Sequence, residues 1–153
     1  MNSTMIQFFH WYTLGDSFLW NHAKEQAEYL SNLGITETWL PPAYKGASGG
    51  NSTGYDPYDL FDLGEFDQKG SIPTKYGSRD QFLEACKTLQ ETGINIIADI
   101  VLNHKGGGDE KELFSVVKVD TEHRERGISE PYEIESYTKF TFPGRGDKYS
   151  QFE

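Results

Sequence analysis

Two hydrophobic periods alternate along the first hundred residues. Residues 5–12 (MIQFFHWY) form a short apolar and aromatic run, which is typical of a buried strand. Apolar residues then recur at steps of three and four, which predicts a helix with one buried stripe. That stripe consists of Trp20, Ala23, Ala27, Leu30 and Leu33. Gly34 stands at the position of a left-handed helix cap, and residues 35–40 (ITETWL) alternate as a second strand until a Pro-Pro pair stops it.

The same order of elements is predicted once more after a long loop. Residues 43 to about 77 are polar and glycine-rich, and this stretch far exceeds the usual connection of about 4–6 residues, so a functional loop is expected. A second helix is predicted to begin at Ser78, because Ser78 and Gln81 have the capping-box spacing. Its predicted buried face consists of Phe82, Ala85, Cys86 and Leu89. Gly93 would end this helix, and residues 94–101 (INIIADIV) are a near-continuous apolar run, as expected of a strand covered on both faces.

The predicted order is therefore strand, helix, strand, helix, strand. Parallel pairing with right-handed crossovers is the default for such an order. The fold class is α/β, either an open sheet or part of a barrel. After Asn103 the pattern changes, because three glycines at 106–108 break the chain and short β-like runs follow at 114–119 and 137–142. We expect this later segment to be a strand-containing insert after the third strand.

Composition removes several classes of function. The 153 residues include 14 basic and 24 acidic side chains, so at a net charge of −10 neither nucleic acid nor an anionic membrane is an expected partner. No apolar run approaches the roughly 20 residues of a membrane helix. The single cysteine, Cys86, allows no internal disulfide, and residues 1–5 lack the basic-then-apolar layout of a signal peptide. We therefore expect the protein in the cytoplasm.

Three polar side chains end the third predicted strand, namely Asp99, Asn103 and His104. In parallel α/β folds, ligands bind at the carboxyl ends of the strands. A buried aspartate there needs a hydrogen bond or a charge partner. Asn103 offers a neutral carbonyl oxygen that suits calcium, and His104 can donate to a hydroxyl group. The alternative is that Asp99 caps a loop and that Asn103 and His104 only turn the chain.

Aromatic and acidic residues alternate within the long loop, in residues 54–66 (GYDPYDLFDLGEF). A flat ring such as Tyr55 beside hydrogen-bond acceptors suits a sugar, which has apolar C–H faces and a ring of hydroxyl groups. Trp11, at the end of the first predicted strand, could line the same mouth. The alternatives are a structured loop held by aspartate turns and buried rings, and core packing for Trp11.

These segments resemble the α-amylase superfamily of glycoside hydrolases. Residues 99–104 (DIVLNH) are similar to the first signature region of that superfamily. Five further segments agree with the sequence around it: 34–46, 54–66, 75–77, 103–107 and 142–146 (FPGRG). The likeness runs over nearly the whole chain, and it points to the bacterial liquefying type of α-amylase, including its intracellular relatives.

The resemblance implies a (β/α)₈ TIM barrel with a small β-rich domain inserted after the third strand. Residues 1–103 would form the N-terminal portion of the barrel, with its first three β/α units, and residues 104–153 the beginning of the insert. The implied activity is endo-hydrolysis of α-1,4-glucosidic bonds in starch, glycogen or maltodextrin with retention. The implied enzyme is longer than this chain and is a monomer at full length.

The resemblance also assigns roles to individual residues. Tyr55 would stack on the sugar just before the cleaved bond, and His104 would hydrogen-bond the same sugar. Asp99 would support the site, and Asn103 would give one oxygen to a structural calcium ion. Trp11 is a further candidate for the sugar contact because it ends the first predicted strand, and the resemblance does not assign it.

The family's catalytic motifs do not occur in this sequence. Retaining hydrolysis needs two carboxyl groups roughly 5 Å apart, and the family's nucleophilic aspartate and acid glutamate lie on later strands. We therefore expect no catalytic residue in this chain, no glucan hydrolase activity from the 153 residues alone, and an incomplete calcium site. Two alternatives stay open: another α-glucan activity of the superfamily, such as transglycosylation or α-1,6 or trehalose-type hydrolysis, and a non-catalytic carbohydrate-binding fragment.

Overall fold

The protein divides into two compact units. A computed structural model describes residues 3–152, of which 107–141 form the second unit and the residues on either side form the first. The elements of the first unit are β1 (Met5–Gln7), α1 (Leu19–Asn32), β2 (Glu37–Leu40), β3 (Lys45–Gly46), β4 (Pro57–Asp59), α2 (Arg79–Glu91) and β5 (Asn95–Ala98), with 3₁₀ turns at Gly49–Asn51 and Ser150–Phe152. The second unit contains β6 (Glu110–Val116) and β7 (Tyr132–Lys139).

A parallel sheet of order β1-β2-β5 is the frame of the first unit. Met5 lies opposite Glu37, and Glu37 lies opposite Asn95, so the three strands begin level with one another. Each connection between neighbouring strands contains one helix, as the alternating hydrophobic periods predict. Because the strands are parallel and in register, their carboxyl ends meet at one edge of the sheet.

The core lies between the two helices and the sheet. Its buried members are Trp20, Ala23, Ala27, Leu30, Leu40, Tyr76, Ala85, Leu89 and Ile94. The predicted capping box is confirmed, since the Gln81 backbone N–H donates to Ser78 Oγ at 3.3 Å and the Ser78 backbone N–H donates to Gln81 Oε1 at 2.8 Å. Neither helix, nor any other helix among residues 3–152, is long and apolar enough to cross a membrane.

Three local expectations need correction. Strand β1 stops at Gln7 and not at residue 12, because Thr13 bonds back to His10 through both its backbone and its hydroxyl group and turns the chain. Leu33 is not in the buried stripe, since helix α1 ends at Asn32 and Leu33 is its exposed C-cap. The run 94–101 is not covered on both faces, because Ile97 and Ala98 are exposed although Ile94 is buried.

The long loop folds around a buried ammonium group. Lys45 Nζ donates to the carbonyl oxygens of Phe66, Ser71 and Ile72 at 3.1, 2.6 and 2.7 Å and lies 3.4 Å from Asp62 Oδ2. Burial lowers the pKa of Lys45, and the neighbouring Asp62 charge opposes that effect. Asp62 Oδ1 also accepts three backbone N–H groups, from Gly64, Glu65 and Phe66, at 2.9, 3.0 and 3.4 Å. Asp62 is thus a turn-forming residue, as the structural alternative for residues 54–66 proposed.

The second unit is an antiparallel hairpin. Strands β6 and β7 pair with Phe114 opposite Ile134, and Lys111 and Glu135 form a cross-strand ion pair at 3.0 Å. The β-like runs at 114–119 and 137–142 overlap these strands, although both strands begin earlier than those runs. The division into a barrel portion at 1–103 and an insert at 104–153 stays a prediction. By contacts, residues from Phe142 onward group with the first unit.

Candidate functional site

The carboxyl ends of the parallel strands carry the residues that the sequence singles out. Asp99 follows the last residue of β5 directly, and Phe9 and Trp11 follow β1. A hydrogen bond of 3.0 Å from the Phe8 backbone N–H to the Trp39 carbonyl oxygen holds the exit of β1 beside β2. Tyr55 comes from the long loop, two residues before β4. Four separate segments of the chain thus converge at this edge.

Tyr55 and Asp99 form the central polar contact. The Tyr55 hydroxyl group donates to Asp99 Oδ2 at 2.7 Å, and both side chains are half-buried. The pKa of Tyr55 is raised well above its ordinary value, mainly because the side chain is partly buried and also because it is hydrogen-bonded to Asp99. The phenol therefore remains a protonated donor at neutral pH, and it supplies the partner that a carboxylate at the end of an apolar strand requires.

Two further tyrosines surround this pair. The Val101 backbone N–H donates to the Tyr44 hydroxyl oxygen at 2.8 Å, and the Tyr76 hydroxyl donates to the Thr53 carbonyl oxygen at 3.1 Å. Burial, with the Asp99 charge, raises the pKa of Tyr76 from 10.0 to about 12. Tyr44 braces the segment after Asp99, and Tyr76 braces the segment before Tyr55. Neither residue was predicted as part of the site from the sequence, although Tyr44 and Tyr76 lie in the segments 34–46 and 75–77 that resemble the family.

An aromatic platform extends from Tyr55. The ring of Trp11 stacks on the Tyr55 ring with centroids 5.9 Å apart and planes 17° apart, and Trp11 is 63% exposed. A depression of about 240 Å³ beside this pair is lined by Phe9, Trp39, Thr53 and Tyr76 among others. Trp11 and Tyr55 also line a second, more polar depression of about 280 Å³ with Asn51 and Asp56. Exposed rings beside a carboxylate match the apolar faces and hydroxyl groups of a sugar.

His104 lies near this site through the backbone. The Gly106 N–H donates to the Pro57 carbonyl oxygen at 3.0 Å, which holds the segment after β5 against the strand that follows Tyr55. The His104 side chain is exposed and, in the structure of residues 3–152, bonds to none of Trp11, Tyr55 and Asp99. Tyr55 therefore contacts both Trp11 and Asp99 directly. His104 bonds to none of these side chains, but its segment is held against the strand that follows Tyr55.

The calcium assignment rests on Asn103 alone. Asn103 is exposed, and no group of three or more His, Cys, Asp or Glu side chains within residues 3–152 is arranged to hold a metal ion. Calcium takes about six to eight oxygen ligands, so one amide oxygen is insufficient. The assignment of Asn103 as a calcium ligand stays a prediction.

Comparisons with known proteins identify the family of this chain. The family model for the alpha amylase catalytic domain matches residues 19–137. The cytoplasmic alpha-amylase of Escherichia coli (strain K12) is 52% identical over 151 residues, and an alpha-amylase of Geobacillus stearothermophilus is 49% identical over 152 residues. Each match covers 99% of this chain but only 30% and 28% of the respective relative. The chain thus spans less than a third of the length of these curated relatives.

A solved structure has the same fold. A truncated alternansucrase from Leuconostoc mesenteroides NRRL B-1355 superposes with a TM-score of 0.72 at 22% identity, over 86% of this chain and 13% of that chain. At this identity the likeness concerns the fold alone, which is of the TIM-barrel type found in glycoside hydrolases. The resemblance seen in the sequence is confirmed by the family model and by the two curated relatives, and the chain belongs to the alpha-amylase catalytic-domain family.

Proposed function

We propose that this chain is the N-terminal part of an α-amylase-like enzyme that cleaves α-1,4-glucosidic bonds inside starch, glycogen or maltodextrin, with retention. It would supply the first three β/α units of the barrel and the beginning of the inserted domain. The observation that carries the proposal is the contact of Trp11, Tyr55 and Asp99 at the carboxyl edge of a parallel sheet. This is the edge at which TIM-barrel enzymes bind their substrates.

Each residue has a distinct role in the proposed glucan site. The Tyr55 ring stacks on the glucose unit beside the cleaved bond, and Asp99 fixes the orientation of that ring through the phenol. His104 donates a hydrogen bond to a hydroxyl group of the same unit. Trp11 extends the stacking surface to a neighbouring unit. The two carboxyl groups that perform the covalent displacement would come from residues that follow this chain in the longer enzyme.

Further attributes of the longer enzyme follow from the same proposal. Asn103 would be one calcium ligand among several that other parts of the enzyme supply. The enzyme would act as a monomer in the cytoplasm, and this location is supported by the likeness to a relative that is a cytoplasmic alpha-amylase.

Two measurements test the proposal. The isolated chain should release no reducing sugar from soluble starch above a blank without protein. A hybrid in which residues 1–153 replace the matching segment of the Escherichia coli relative should hydrolyse starch, because that relative supplies the remaining barrel. Within the hybrid, Tyr55→Ala should lower kcat/KM by about 100-fold or more, since ring stacking and the bond to Asp99 are both lost. A hybrid whose Tyr55→Ala variant retains full activity contradicts the proposed site.

Analysis of the products separates this activity from the alternatives. Hydrolysis yields new reducing ends in proportion to cleaved bonds, whereas transglycosylation redistributes chain lengths without them.

Binding of maltoheptaose by the isolated chain, lost in Tyr55→Ala, would indicate a carbohydrate-binding role for this segment even without the rest of the enzyme.

A further inference from the structure

The segment Phe142-Pro-Gly-Arg-Gly146 contacts both the loop that carries Tyr55 and the segment that carries His104, and the proposed chemistry gives it no role. It belongs to the same compact unit as the parallel sheet. The sequence singles it out only as a mark of family membership. Phe142 and Arg145 contact residues that are close to Tyr55 and His104 in the chain, and Gly144 packs against Asp67 farther along the same loop.

Phe142 is buried between the two loops. Its ring packs edge-on against Tyr58, with centroids 5.3 Å apart, and Lys105 Nζ lies 4.8 Å from its centroid. Tyr58 is three residues after Tyr55, and Lys105 directly follows His104. Phe142 adopts a left-handed backbone conformation with φ of 47°, which is uncommon for a bulky residue and persists only where the surroundings impose it.

Arg145 fixes the strand that follows Tyr55. Its Nε donates to Asp59 Oδ2 at 2.8 Å, with both side chains almost fully buried, and its Nη1 donates to the Lys148 carbonyl oxygen. The guanidinium group also lies 4.7 Å from the Phe142 centroid. Asp59 is the last residue of β4, so this charge-assisted bond secures the strand that begins two residues after Tyr55.

Gly144 permits the close approach that these contacts need. A Cβ atom at this position would overlap the Asp67 carbonyl oxygen and would lie 2.7 Å from Gln68 Cγ. Gln68 in turn donates to Asp59 Oδ2 at 2.9 Å and to Asp62 Oδ2 at 3.0 Å. The segment is therefore packed directly against the polar network that shapes the Tyr55 loop.

We propose that residues 142–146 act as a clamp that sets the position of Tyr55 against Asp99 and of His104 beside them, with Arg145 as the positioning residue. The part of this inference that concerns glucan rests on the proposed function. The part that concerns the Tyr55–Asp99 contact does not.

Ring-labelled tyrosine NMR on the 153-residue chain tests the clamp. One variant is Arg145→Lys, which keeps the positive charge but loses the several N–H donors of the guanidinium group. The other is Gly144→Ala, and its matched control is Gly127→Ala, because a Cβ atom at Gly127 meets nothing within 4 Å. The Tyr55 signal is assigned with Tyr55→Phe. At about pH 10.5 an ordinary tyrosine is about three-quarters ionised, so Tyr55 should remain protonated in the wild type and in Gly127→Ala and become mostly ionised in both clamp variants.

The buried Tyr76 is the internal control for folding. If Tyr76 stays protonated while Tyr55 ionises in the clamp variants, the clamp acts locally on Tyr55 as proposed. If Tyr55 stays protonated in both variants, the proposal is overturned. It is also overturned if both tyrosines ionise together in both variants, because residues 142–146 would then support the whole unit and not the position of Tyr55.

Titration with maltoheptaose, followed on the same Tyr55 signal, separates the clamp from the proposed function. If the wild type responds, the clamp variants should need about tenfold more maltoheptaose for the same response. If the wild type does not respond, Tyr55 does not make the proposed sugar contact in this chain. The ionisation of Tyr55 in the clamp variants then still tests whether residues 142–146 position it.

Discussion

Replacing Tyr55 with phenylalanine removes one hydroxyl group and keeps the ring that stacks on Trp11. The lost bond is the 2.7 Å donation to Asp99 Oδ2, and hydrogen bonds to a charged group contribute about 1.5–3 kcal/mol to stability. Asp99 is only half-buried, so water can replace part of that interaction. We therefore expect Tyr55→Phe to lower the free energy of unfolding by about 1–2 kcal/mol.

A double-mutant cycle with Asp99→Ala isolates this bond, because alanine leaves no acceptor for the phenol. Urea unfolding followed by tryptophan fluorescence should give a coupling energy of about 1 kcal/mol or more between the two substitutions. Tyr12→Phe is the control, since Tyr12 is 83% exposed and its substitution should change stability by no more than about 0.5 kcal/mol. A coupling energy indistinguishable from zero would refute the claim that the phenol is what satisfies the Asp99 carboxylate.

Three further predictions concern other parts of the first unit. Ser78→Ala should lower the free energy of unfolding by about 1 kcal/mol in urea, because it removes one half of the capping box. An unchanged unfolding midpoint would contradict the role of that cap. Lys45→Ala should cost about 3–5 kcal/mol, because it leaves Asp62 buried without its cation, whereas Lys87→Ala, at an exposed ion pair, should have almost no effect. The free energy of unfolding should fall in alkaline solution, because folding raises the pKa of Tyr76 from 10.0 to about 12. The stabilisation from Tyr76 is complete below pH 10 and is lost as the pH rises from 10 through 12, with a slope of about 1.4 kcal/mol per pH unit. Tyr76→Phe should reduce that slope.

Local sequence patterns predicted the elements that depend on local physics. The capping box at Ser78 and the apolar stripe from Trp20 to Leu30 are written in residues three or four positions apart, so they can be read without the fold. Element ends were less accurate. The turn at His10–Thr13 and the end of α1 at Asn32 depend on side-chain bonds and capping that hydrophobic periodicity does not contain.

The candidate site shows the same division. The sequence selected Tyr55, Asp99, His104 and Trp11 because polar and aromatic side chains at strand ends are suited to ligand binding. It did not select Lys45 or Arg145, because a charged residue in a loop is ordinarily solvated and no local pattern marks one that will be buried. Arg145 bonds to Asp59, 86 positions earlier in the chain, and no local pattern contains that pairing.

The sequence alone therefore determined the order of the three parallel strands and two helices, the acidic character of the chain and its family, but not the short strands β3 and β4 inside the long loop. Propensity, periodicity and short motifs act over a few neighbouring residues. The tertiary structure decided which distant side chains meet. Tyr55 reaches Asp99 across 44 positions, and Lys45 reaches carbonyl oxygens 21 to 27 positions away. The Tyr55–Asp99 pairing depends on how the parallel strands bring their carboxyl ends to one edge. The Lys45 contacts depend on how the long loop closes on itself, so both are properties of the folded unit and not of any short segment.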